Sequence, residues 1–362
     1  MNNIFYLAVG EEATRGTAES TTVGFIPLNT AAMPEMQFED KPRAEFRGEE
    51  TVLGNTTIRR VSEKWSGSID MPGFSEAGTT KGMVGTVLKH FFGKSSSGQN
   101  AVTGQYYHMM YPVADPFAAA NLGTKALTLN VNVNEGATTK NHAYRGGRVK
   151  SLSFDQQIGQ PLKISAELFG QLKTASGTAI AAPAFVAENL RFDYNDLTVY
   201  TGTITRTGTG PAFTQFAYGS ATVLKPDKIS VKIENGMEDA QRLSGVDYPD
   251  KTRMGKFKVT LELTIDWEAP GSGFDSAAEF NAWLASAAST NFLLKWDTGV
   301  QAGTGDNHML IIDIPIAQRM GGKPDYNLEK DPMITLKYEG LYDATTCKYI
   351  AGVMLKNTAA AV

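Results

Sequence analysis

The chain has 362 residues, a net charge of −4, one cysteine (Cys347) and four histidines (His90, His108, His142, His308). That length suits two domains or one large β domain, and either buries a sizeable core. The charge balance excludes a basic nucleic-acid clamp, the 42% hydrophobic content excludes a disordered chain, and one cysteine excludes a disulfide scaffold. No stretch reaches the ~18 apolar residues of a membrane span. The apolar run Ile4 to Val9 is short for a signal-peptide core and follows no basic residue, so a chain folded in a reducing cytosol is expected.

In chain order, residues 1–30 read as an N-terminal arm. Residues 39–60 are highly charged and carry two glycine turns, which predicts a long exposed loop. Val61, Trp65, Ile69 and Met71 then keep a period of two, with Gly67 as a bulge or a close approach. Met83 to Phe92 has helical period, with Val84, Val87, Leu88 and Phe91 on one face. Alternation returns at Leu127, Leu129, Val131 and Val133, and again at Leu162, Ile164, Ala166 and Leu168. Residues 174–225 read as a connection that includes the Thr- and Gly-rich run Thr201 to Gly210 and carries a surface hairpin, Leu197 to Tyr200 being one of its strands. Ile229, Val231 and Ile233 alternate next. The cleanest strand is Phe257, Val259, Leu261, Leu263, Ile265 and Trp267, with Lys258, Thr260, Glu262, Thr264 and Asp266 in the gaps. Asp275 to Ala288 predicts a second helix, capped by Asp275 or Ser276 with Glu279 completing a capping box. Ile334, Leu336 and Tyr338 form the last clear alternation, and 358–362 reads as a tail.

The strand–loop–helix run repeats. Ser68-Ile69-Asp70-Met71 is similar to Thr264-Ile265-Asp266-Trp267, and the same spacing sets Val84, Val87 and Leu88 on Phe280, Trp283 and Leu284. Ile164 to Gly170 matches Ile334 to Gly340 at a shorter spacing. A duplication follows, in which the first copy holds extra residues around Tyr106 to Pro116. The expected organisation is an arm (1–30), a first domain (31–173), the connection (174–225), a second domain (226–357) and the tail.

Signatures of chemistry fail on spacing. Gly93-Lys94-Ser95 follows a helix and has Leu88 where a phosphate loop needs glycine. Gly208-Thr209-Gly210 runs into Pro211, which blocks a dinucleotide-binding helix. No histidine pair has metal-ligand spacing. Asp193-Tyr194-Asn195-Asp196 has Thr198 where a calcium loop needs glycine. Gly73 to Gly78 is one residue out of step with a nucleophile elbow. Cys347 reads as a small buried residue. The basic spots Arg59-Arg60 and Arg145 to Lys150 suit either solvated strand ends or subunit contacts. Neither a cofactor nor a metal is expected.

The order of these features resembles the tail tube (major tail) proteins of long, non-contractile-tailed (siphovirus-type) phages. Ala8 to Ala18 (Val9-Gly10-Glu11, then Arg15-Gly16-Thr17-Ala18) followed by Phe25 to Leu28 is similar to the family's opening. Trp65-Ser66-Gly67-Ser68-Ile69, the aromatic stretch Tyr106 to Pro112, Gly146 to Gly170, Ile229 to Gly245 and Gly255 to Trp267 resemble its successive strands. The stretch Thr201 to Phe216 departs from the pattern as an insertion. The resemblance implies a mainly β protein of two tandem sandwich- or barrel-like tube domains, each with one flanking helix. It implies a structural, non-enzymatic virion subunit, made in the host cytoplasm, whose rings stack into the tail tube. A duplicated chain would build a trimeric, pseudo-hexameric ring, with a hexameric ring as the alternative. Its partners would be further copies of itself, tail tip, tape-measure and tail terminator proteins, and double-stranded DNA passing without sequence-specific binding.

On that reading the polar strand faces line the lumen through Asp70, Asn130, Asn132, Glu167, Thr260, Glu262, Thr264 and Asp266, with Ser66 and Ser68 beside them. Small neutral and acidic side chains neutralise no phosphates and so hold DNA weakly. Arg43, Glu45, Arg47, Glu49 and Glu50 would make ring-to-ring contacts. Two other readings stay open on the residues alone. One is a carbohydrate- or receptor-binding β-sandwich, which needs an exposed aromatic platform, whereas Trp65, Trp267 and Trp283 fall in core phase and Trp296 in neither. The other is a glycosidase resting on carboxylates that spacing does not locate.

Overall fold

Alternating apolar and polar side chains become strand throughout the chain. A computed structural model describes residues 5–26, 33–42, 58–76, 83–99, 104–174, 177–180, 185–243, 245–268, 273–287, 289–325 and 331–361. The first half holds β1 (Phe5–Glu12), β2 (Val23–Ile26), β3 (Glu35–Pro42), β4 (Ile58–Pro72), α1 (Met83–Phe92), β5 (Gly93–Gln99), β6 (Tyr106–Pro112), β7 (Ala126–Glu135), β8 (Thr138–Gln157), β9 (Lys163–Gly170), β10 (Leu172–Lys173) and β11 (Gly177–Thr178). The second holds β12 (Leu197–Gly202), β13 (Thr205–Thr209), β14 (Ala212–Ala217), β15 (Ala221–Leu224), β16 (Lys228–Glu234), β17 (Glu238–Ala240), β18 (Lys251–Arg253), β19 (Lys258–Asp266), α2 (Ser276–Ala285), β20 (Ser289–Gln301), β21 (Asn307–Asp325), β22 (Met333–Gly340) and β23 (Gly352–Asn357).

The two halves repeat one pairing order. In the first, β3 pairs β4, then β9, β8, β7 and β1 follow in turn, and β1 carries β2. In the second, β16 pairs β19, then β22, β21, β20 and β12 follow, and β12 carries β15. The irregularities repeat as well. β8 slips against β9 between Val149 and Ser151, and β21 slips against β22 between Arg319 and Gly321. β8 slips against β7 between Tyr144 and Gly147, and β21 slips against β20 between Ile314 and Ala317. Both slips recur at a spacing of 170 residues. A bulge adds a residue and bends its strand, so each long strand turns at matching places and serves two sets of neighbours.

The extra residues of the first copy are the β5–β6 hairpin between α1 and β7. The insertion of the second copy is the β13–β14 hairpin. Residues 197–224, expected in a connection, thus supply β12 and β15, the counterparts of β1 and β2. Residues 5–12, expected in an arm, are a core strand. Leu7 and Val9 are buried, and Glu11 accepts hydrogen bonds from Lys89 (2.8 Å) and Lys125 (2.6 Å).

The halves share one sheet. Residues 151–157 of β8 pair antiparallel with 228–234 of β16, and β23 pairs both β21 and β6. One apolar cluster accordingly takes Trp65, Phe154 and Leu168 from the first copy and Val231, Leu263 and Tyr338 from the second. The protein is mainly β, and the strands do not close into a barrel within the chain. Glycine closes the end of β9 for a steric reason: a Cβ on Gly170 would lie 2.5 Å from the Trp65 ring, and one on Gly340 would lie 2.9 Å from Val259 at the matching place in the second copy.

The helices differ in their surroundings. α1 keeps its expected bounds, and all of its residues but Lys89 are buried. α2 is shorter than its apolar pattern. Asp275 caps it by accepting from Ala278 N–H at 2.7 Å, while the Ser276 hydroxyl instead donates to the Asp266 carbonyl at 2.7 Å. Of α2, only Ser276 is fully buried.

Candidate lumen and assembly surfaces

Period two puts every second side chain of a strand on one face, and the register here extends that face across both copies. Ser68 of β4 lies beside Glu167 of β9, which lies beside Ser151 of β8 and then Glu234 of β16. One rung along, Asp70, Ser165, Ser153, Lys232, Thr260 and Glu339 form a continuous row through β4, β9, β8, β16, β19 and β22. Asp155, Ser230, Glu262 and Lys337 form the next. The opposite face of the same strands is the apolar core.

Six of the eight expected lumen residues therefore share a surface: Asp70, Glu167, Thr260, Glu262, Thr264 and Asp266. Its charges are mixed in sign. Asp70 pairs with Lys163 at 2.8 Å, Glu262 with Lys337 at 2.8 Å, and Glu234 with Lys232 at 2.8 Å. Thr264 and Thr335 share a hydroxyl hydrogen bond at 3.1 Å. Lysines two residues or one strand away offset the carboxylates, a pattern that the spacing within single strands did not reveal. The other two residues lie elsewhere. Asn130 and Asn132 are fully buried within the subunit on β7. The Asn130 amide donates to the Glu19 carbonyl at 2.8 Å and accepts from Asn141 at 2.9 Å, and Asn132 accepts from Ile180 N–H at 3.1 Å. Neither is offered to a lumen. Arg43, Glu45, Arg47, Glu49 and Glu50 lie outside the described residues.

Among the described residues, several groups singled out in the sequence are enclosed or structural. Ser75 Oγ and His308 Nδ1 stand 2.8 Å apart, but Ser75 is fully buried and His308 nearly so, and burial pushes the imidazole pKa down. Cys347 is buried, and loss of solvation pushes its thiol up to about 12. Such a thiol is a poor nucleophile at neutral pH. Asp193 accepts backbone hydrogen bonds in a capping box on a single 3-10 turn at 194–196. Among the described residues, no group of three or more His, Cys, Asp and Glu side chains converges as metal ligands. Trp65 and Trp296 are core residues, and the Trp296 indole donates to Gln156 at 2.7 Å. Trp267 and Trp283 are half-buried around Phe280.

Of the basic spots, Arg148 is buried and leans over Phe117, and Arg145 donates to the Gly16 carbonyl at 3.0 Å. Arg60 is an exposed partner of Asp40.

No curated protein matches the chain. The family model described as phage tail tube protein matches residues 5–340, from the first residue of β1 to the last of β22. That span takes in both copies of the repeat and the sheet that joins them, and on it the chain belongs to the phage tail tube protein family.

Proposed function

We propose that three copies of this chain form a closed ring with six similar positions, that rings stack into the tube of a long-tailed phage, and that DNA leaves the capsid through the lumen. The observation that carries this reading is the continuous polar face. It spans the strands of both copies, turns its apolar side inward on the chain's own core, and bears carboxylates, lysines, serines and threonines in alternation. A wall of that composition faces water along its length. Three of its lysines, Lys163, Lys232 and Lys337, are paired with acids on the protein and so are less free to neutralise phosphates, and duplex DNA gains little affinity for it. Head-to-tail contacts between identical subunits close into rings when the rotation allows. Tail tip, tape-measure and terminator proteins are the partners expected at the ends and in the lumen. Arg43, Glu45, Arg47, Glu49 and Glu50 are the proposed ring-to-ring contacts.

Electron microscopy of the purified chain tests the reading. Rings or tubes with the polar face inward are expected. Monodisperse particles that never assemble, alone or with the other tail proteins, would refute it.

A further inference from the structure

The β8–β16 joint links the two copies edge to edge, and among the described residues its two halves recur unjoined at β3 and at the end of β21. Inside the chain, β8 at 151–157 pairs with β16 at 228–234, with Leu152 opposite Ile233. The Asn235 side chain then donates to the Phe91 carbonyl of α1 (3.2 Å) and the Val149 carbonyl (2.8 Å), and Phe257 stacks on Phe92. Copy two thereby covers the C-terminal end of α1. By the repeat, residues 321–325 of β21 correspond to 151–155 of β8, and β3 corresponds to β16. Met36 opposite Trp65 matches Ile233 opposite Val259, so Phe38 stands at the position of Asn235. Among the described residues, β3 pairs with β4 alone, and 321–325 pair with β22 alone.

Resting on the ring reading above, we propose that residues 33–38 of one subunit dock antiparallel against 321–325 of a second copy, with Met36 opposite Gly322 and Phe38 covering the exposed end of α2. Edge strands left open pair with other chains, and here exposed apolar side chains stand at both edges. Large apolar side chains rarely stand in water in clusters unless a partner covers them. Met33 and Phe38 are 43% and 49% exposed on the β3 edge, and Met320 and Leu284 are 56% and 63% exposed on the β21 bulge and α2. At the filled joint these places are occupied: the Asn235 N–H donates to the carbonyl of Lys150, the bulge residue that corresponds to Met320. Pro34 falls opposite Pro324, so that rung lacks donors from both strands or needs them from neither.

Cysteines test the register. In this alignment Gln37 faces Gly321. Gln37 is exposed, and a Cβ on Gly321 meets nothing within 4 Å. Rings of the Gln37→Cys/Gly321→Cys double variant should oxidise to covalent trimers, resolved on a non-reducing gel and returned to monomer by reductant. Either single variant should give no such ladder. Rings or tubes that form normally without cross-linking overturn this joint while leaving the ring reading standing. Failure of the unmodified chain to form rings at all overturns the ring reading itself. As a second readout, Leu284→Asp/Met320→Asp should keep the unmodified thermal midpoint and lose assembly. Normal assembly by that variant also overturns the joint.

Discussion

Folding closes apolar side chains over Glu76 at the entrance of α1. Its carboxylate accepts from Gly85 N–H at 2.8 Å, while its second oxygen has no hydrogen-bond partner among the described residues. Burial outweighs those backbone bonds and pushes the pKa from 4.5 up to about 7. The unfolded chain therefore gives up this proton first. The stability that neutral Glu76 permits is complete below pH 4.5 and is lost as pH rises through 7. Glu76→Gln keeps the acceptor and removes the charge. Its thermal midpoint should exceed that of the unmodified chain at pH 8, by up to about 3 kcal/mol of stability, with the difference vanishing near pH 4.5. At this scale the alternation of the sequence located most core side chains. It misplaced Asn130 and Asn132, because segments 17–22 and 177–180 cover them from far along the chain, and local pattern carries no record of that cover.

Strands that alternate apolar and polar side chains were legible, β7 included although both its faces are covered, and those with continuous apolar runs were not. β4, β7, β9, β16, β19 and β22 sit where the period of two places them. β20 and β21 carry continuous apolar runs, such as Phe292 to Leu294 and Leu310 to Ile312, because both of their faces are packed. The stretch 201–216 was legible as an insertion, but the expected hairpin strand 197–200 belongs to the main sheet, and the hairpin is β13–β14, whose anchor local pattern did not reveal. Arg206 grips Asp313 of β21 through two hydrogen bonds (2.8 and 2.7 Å), and Tyr349 donates to the same carboxylate. Asp313 is fully buried, so Arg206→Ala leaves a bare charge inside and should cost roughly 3–5 kcal/mol. Denaturant melts read that loss, and Arg206→Ala/Asp313→Asn should recover part of it. The Trp65–Gly170 contact makes a separate prediction. Gly170→Ala forces a methyl into the indole and should destabilise by about 1–3 kcal/mol, measured the same way.

At the scale of the molecule, the sequence suggested a duplication, and the bulges repeated 170 residues apart give it a structural form. The strand match was off by two residues: Ile69 beside Ala166 corresponds to Leu263 beside Leu336, and not to Ile265. The sequence could not show that β8 and β16 fuse the copies into one sheet, since strand partners so distant leave no local mark. The joint polar face predicts an electrostatic phenotype. Glu167→Lys/Glu262→Lys/Asp266→Lys should leave subunit folding intact and raise DNA retention by assembled tubes, with the added affinity falling steeply as salt rises. Co-sedimentation of tubes with duplex DNA at low and high salt reads it. The most direct measurement of the whole account is the rotational symmetry and facing of the assembled ring by electron cryomicroscopy. The account predicts three chains in six similar positions, with Asp70, Glu167 and Glu262 toward the lumen. Six chains per ring, or those residues on the outer wall, would contradict it.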